Sequence, residues 1–188
     1  LPKGNNLSLH LLELFTSQVA KVGMTDGIRQ VLQEESDALR AYYEQAGILI
    51  ARPAGGTSCR LAISAKGGTN AENHNHNDVG SYAVALGSET MVGDQGGPNS
   101  YPGDYFNGDA PQKYKIKGSF GHPVPVVDGR TQSSGGKAKG VVLQKEFTNE
   151  KDVFSIDYTS AYSTPNLDKL IRTFVYDRQG KGNFTVGD

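Results

Sequence analysis

From Gly47 onward, apolar residues recur in short runs at every second position, and glycine, asparagine and proline separate the runs. In VFSIDY, Phe154, Ile156 and Tyr158 alternate with Ser155, Asp157 and Thr159. Successive side chains on a strand point to opposite faces, so this pattern predicts one buried face and one wet one. GILIARP, CRLAISAKGG, GSYAVALGSETMVGD, KYKIKGSF, VVLQKEF, DVFSIDYTSAY and LIRTFVYDR read as strands of the same kind. Many such strands, with no helical pattern between them, predict a mainly β chain built as a large antiparallel β-sandwich. The stretch DGRTQSSGGKAKG, residues 128–140, reads as a loop. The closing RTFVYDRQGKGNFTVGD reads as a strand, a turn and a strand just begun, so the sandwich is expected to be truncated at its C-terminal end.

The first quarter has a different period. Ile28, Val31, Leu32, Leu39, Tyr42, Tyr43 and Ala46 recur at helical spacing, with Thr25 or Asp26 as a cap and Gly47 as a stop, which predicts a helix over 25–46. Leu7, Leu11, Leu14 and Phe15 predict a second helix over 7–20, with His10 as an ordinary helix residue. The expected organisation is a short helical segment over 1–46 followed by the sandwich over 47–188.

Composition narrows the partners. With 19 basic against 20 acidic residues, the net charge of −1 provides no global field for nucleic acid. No apolar run is long enough to span a membrane. Cys59 is the single cysteine, so no intrachain disulfide can form.

Two of the four histidines fall in AENHNHNDVGSY, as His74 and His76, with Asp78 two residues on. An extended backbone there would put 74, 76 and 78 on one face and the asparagines on the other. His122 in SFGHPVPVVDG and Asp94 in MVGDQGG are the other imidazole and carboxylate at hand. Nitrogen and carboxylate donors without thiolates suit Zn²⁺ best among common ions, with manganese or iron also compatible. Asp78 reads either as an orienter of His76 or as a turn former beside Gly80. In QKYKIKG, a strand would place Lys113, Lys115 and Lys117 on one face, either gripping acidic groups or guarding a sheet edge.

The ordered set NHNHNDVGSYAVALGSETMVGDQGG, YFNG and GSFGHPVPVVDGRTQ resembles the C-terminal domain of the heparinase II/III-like polysaccharide lyases, over Gly47 to the end. The resemblance implies a β-sandwich of the super-sandwich type that follows an α/α toroid, with a substrate cleft between the two. It implies that His76, Asp94 and His122 bind a structural Zn²⁺, while His74 faces the cleft. A tyrosine near the cleft is matched by Tyr105 in preference to Tyr101. The implied reaction is β-elimination on an acidic polysaccharide such as heparan sulfate or alginate, with His74 as base or positioner. The implied location is periplasmic or secreted. The toroid, which carries further catalytic groups in that family, is absent from this chain, so the fragment alone is expected to be nearly inactive. A non-catalytic carbohydrate-binding module with a structural zinc is the alternative. A metallo-β-lactamase-like hydrolase, which also uses HxHxD, fits poorly because Val79 stands where a further histidine is needed.

Overall fold

The computed structural model describes residues 38–94, 98 and 100–188. Eleven strands are found among them: β1 Arg40–Tyr43, β2 Ile48–Ala51, β3 Leu61–Lys66, β4 Thr69–Asn70, β5 Tyr82–Leu86, β6 Glu89–Val92, β7 Gly135–Lys139, β8 Val141–Phe147, β9 Lys151–Asp157, β10 Ile171–Asp177 and β11 Asn183–Gly187. One short helix, α1, covers Ala110–Lys113. All strand pairs are antiparallel. A five-stranded sheet runs β1-β2-β3-β5-β6, a four-stranded sheet runs β11-β10-β9-β8, and β4 pairs with β7.

The core lies between the two larger sheets. Leu49 and Ala51 of β2 and Ile63 and Ala65 of β3 are buried against Phe154 and Ile156 of β9 and Phe174 and Tyr176 of β10. Their register sets Phe154 opposite Phe174 within this face, while Ile156 stands opposite the buried but charged Arg172. The predicted alternation therefore holds on the inner face of β9. The outer face is drier than expected at one point, where Ser155 is buried and shares a 2.9 Å hydrogen bond with Thr173 on the neighbouring strand.

Polar ties cross between the sheets. The Tyr176 hydroxyl donates to the Leu61 carbonyl at 2.6 Å. Arg178 donates to the carbonyls of Arg52 (2.7 Å) and Leu39 (3.0 Å) and also pairs with Asp152. Asp152 accepts as well from Arg40 Nε at 2.8 Å. Both Asp152 and Arg178 are buried, so each charge is compensated where water cannot reach it.

Three expectations need correction. The predicted helix over 25–46 lies outside the described residues through position 37, and its last part is β1 followed by a turn. Tyr42 pairs with Leu49 and packs its ring on Phe147 and Phe154, so sheet pairing and aromatic burial override the helical spacing. The segment KYKIKGSF is not a strand: it comprises the end of α1, a turn and one 3-10 turn over Ser119–Gly121. Lys113, Lys115 and Lys117 consequently form no ladder. Finally, residues 135–139 of the expected loop form β7 against β4. The predicted helix over 7–20 and His10 lie outside the described residues.

Candidate metal centre and cleft

Three loops that connect the strands converge. His76 sits in the loop between β4 and β5, Asp94 two residues beyond β6, and His122 just after the 3-10 turn. Their positions depend on a buried polar scaffold. Gln132, 1% exposed, accepts from the Val79 amide at 3.0 Å and donates to the Val79 carbonyl at 2.7 Å, clamping the histidine loop by both backbone groups. Asn70 donates to Gln132 and to the Ser133 carbonyl, and its oxygen accepts from the Asp78 amide. Asn77 donates to the Gln132 carbonyl and Ser134, and its amide binds the Lys117 carbonyl at 2.8 Å, joining the histidine loop to the 114–121 segment. Ser119 Oγ accepts from the Gln132 amide, which anchors the turn leading to His122.

Close backbone approach completes the turn. A β-carbon at Gly118 would stand 2.4 Å from the Pro111 carbonyl oxygen, and one at Gly121 would stand 2.8 Å from the Ile116 α-carbon. Only glycine lets these backbones meet.

The three expected ligands converge. His76 Nδ1 lies 3.1 Å from His122 Nε2, although 46 residues separate them in the chain. His122 Nδ1 lies 2.8 Å from Asp94 Oδ2, and one donor atom from each of the three side chains falls within 4.8 Å of the others. Bond lengths of about 2.0–2.2 Å place donors on one tetrahedral ion roughly 3.3–3.6 Å apart, inside the 4.8 Å spread of one donor atom from each side chain; the two short contacts use opposite nitrogens of His122, of which a single ion would take one. The imidazole of His122 is wholly buried, and its Nδ1 makes no well-directed hydrogen bond despite the nearby carboxylate. Burial lowers the pKa of His76, and His122 lowers it further, against weaker opposing effects from Asp78 and Asp94. The neutral imidazole so favoured is the form that binds a metal. The donor set and the buried nitrogen thus fit a zinc-type ion.

His74 and His76 do not share a face. The segment is a series of turns, with Asn75 N bonded to Glu72 O, and His74 takes a left-handed backbone at φ 59°. A non-glycine residue there costs about 1 kcal/mol or more. The turn sends His76 inward and leaves His74 exposed, its ring 4.5 Å from that of Phe106. His74, Asn73, Asn77, Phe106, Asn107 and Lys117 are among the residues lining an open cleft of about 410 Å³. Asp78 has Lys66 as its partner at 2.5 Å, and its carbonyl accepts from Ser81, which matches the turn-former reading.

Tyr105 is buried, with its ring against Phe106 and Tyr101, and is not among the residues lining the cleft. Burial raises its pKa, with smaller contributions from Tyr101 and Asp94, so the phenol stays protonated. Its hydroxyl is buried without a hydrogen-bond partner. Tyr101 is exposed. Sequence reasoning missed the scaffold of Asn70, Gln132 and Ser119, because a polar residue carries no local mark of burial. It also missed Phe106, whose only sign was its place in the YFNG motif.

No protein-family model and no curated protein matches the chain.

Proposed function

We propose that this chain is the metal-binding β-sandwich part of a polysaccharide lyase that cleaves uronate-containing chains by β-elimination. One observation carries the reading: imidazoles from two distant loops and a carboxylate from a third meet at a single point, and the next histidine along the first loop, His74, lines a cleft. The order of motifs that resembles the heparinase II/III-like lyases supports it.

An ion held by His76, Asp94 and His122 would supply structure, tying three loops together. The reaction must remove a weakly acidic C5 proton next to a carboxylate that repels the forming negative charge, so donors have to neutralise that carboxylate. His74 supplies either the base or a hydrogen-bond donor to the sugar. Tyr105, the tyrosine the resemblance assigns to the cleft, is buried away from the cleft lining with its pKa raised, so the acid for the departing 4-oxygen would have to come from another group. The remaining groups would come from an α/α toroid outside this chain.

The test is a full-length parent incubated with a panel of uronate polymers, following ultraviolet absorbance of the unsaturated product. No absorbance with any polymer sinks the lyase reading. Metal content below about a tenth of an equivalent after zinc is supplied sinks the metal site. A non-catalytic sugar-binding module is the second reading, favoured by the asparagine-lined cleft with the His74 and Phe106 rings in contact at its edge.

A further inference from the structure

The side chain of Lys117 is placed unusually for a lysine. The residue is 4% exposed, and its Nζ donates to the Tyr105 carbonyl at 2.8 Å. The ammonium lies 4.8 Å from the centre of the Tyr105 ring and 5.3 Å from that of Phe106. Among the described residues no carboxylate pairs with it. An ammonium has three donors, and the carbonyl satisfies one of them. Aromatic faces offset part of the cost of burying the charge, but neither ring is an anion.

Lys117 also lines the cleft that His74 and Phe106 edge. The other polar lining is mainly asparagine, which binds hydroxyls. Glu72, the acidic residue of the lining, is exposed and accepts from Thr69 Oγ1 at 2.9 Å. A buried cation with spare donors beside an amide-rich cleft matches a sugar that bears one negative group.

We infer that Lys117 is the anion-recognising residue of this cleft, pairing with a single carboxylate or sulfate ester on a bound sugar while the exposed Asn73 and Asn107 hold its hydroxyls. The inference deepens the lyase reading and rests on it for the sugar, but the anion contact requires no catalysis. Burial already lowers the pKa of Lys117, so an incoming anion would stabilise the charged form. The position also explains why Lys113 and Lys115 differ from it, since both are exposed and Lys113 pairs with Asp104.

The test is calorimetric binding to the 188-residue chain, comparing Lys117→Met with Lys115→Met. The probes are an unsulfated tetrauronide, its carboxyl-reduced neutral counterpart, and a neutral tetrasaccharide carrying one sulfate ester. Methionine keeps the length and apolar contacts of the lysine stem, and melting curves check the fold. Lys117→Met should lose about tenfold or more in affinity for the tetrauronide, the sulfated probe or both, with the pattern naming the anion. It should leave the reduced probe unchanged, and Lys115→Met should alter none of the three. Equal losses on charged and neutral probes, or no loss on either charged probe in a folded variant, would overturn the assignment. Absence of lyase activity in the parent, with the Lys117-dependent preference intact, would remove the reaction and keep the anion site.

Discussion

At the scale of single residues, the two histidines of HNH have separate tasks that their spacing does not reveal. His122→Ala should weaken zinc binding by about tenfold or more and lower the melting temperature with it, read by metal analysis and thermal unfolding. His74→Gly should leave metal content unchanged. It relieves a left-handed residue at φ 59° but loosens the unfolded chain, so stability should stay within about 1 kcal/mol of the parent. If His74 matters as much as His76 for metal retention, the division of roles is wrong. Neither outcome could be read from an HxHxD string, because the string does not specify whether its backbone is extended or turned.

At the scale of elements, the loops are held by contacts that admit little change. Gly121→Ala would press a β-carbon onto the Ile116 backbone, which cannot move aside as a side chain could. It should cost about 1–3 kcal/mol in urea unfolding and weaken metal binding although all three ligands remain. Unchanged metal affinity would show that His122 does not depend on this turn. At the end of β9, Asp157 accepts from the hydroxyl and amide of Thr159 at 2.6 and 3.0 Å, and these bonds lower its pKa. A carboxylate with a depressed folded pKa stabilises above its unfolded pKa of about 3.9, and the contribution disappears as pH falls through the folded value. Asp157→Ala should therefore cost more near neutral pH than in acid, where protonation takes the same contribution from the parent as pH falls through the folded pKa. An equal cost at both would assign Asp157 a role independent of its charge. The strand runs after Gly47 were largely legible, because period-two alternation is local. KYKIKGSF alternates just as clearly, yet its backbone folds around Gly118 and Gly121.

At the scale of the whole molecule, the two large sheets are joined by an apolar core and by buried charges, among them the cluster of Asp152 with Arg178 and Arg40. Asp152→Ala should destabilise by about 3–5 kcal/mol, because it leaves the buried Arg178 guanidinium without its anion. Urea unfolding measures this, and a cost under about 1 kcal/mol would mean the cluster is hydrated rather than buried. β1 enters the same arrangement, since Arg40 reaches Asp152 and Tyr42 packs on Phe154. Its helical spacing on paper could not announce partners more than 100 residues away.

The sequence alone determined most of the strand runs after Gly47 and the inward face of β9, since alternation and turn residues act between near neighbours, but not β1, β7 or the turn at KYKIKGSF. Tertiary structure decided which side chains share a point in space: His76 with Asp94 and His122, Lys117 under Phe106, Gln132 across Val79. Those meetings depend on how sheets and loops close on one another, and the free energy of that closure is spread over the entire chain rather than written in any one stretch of it.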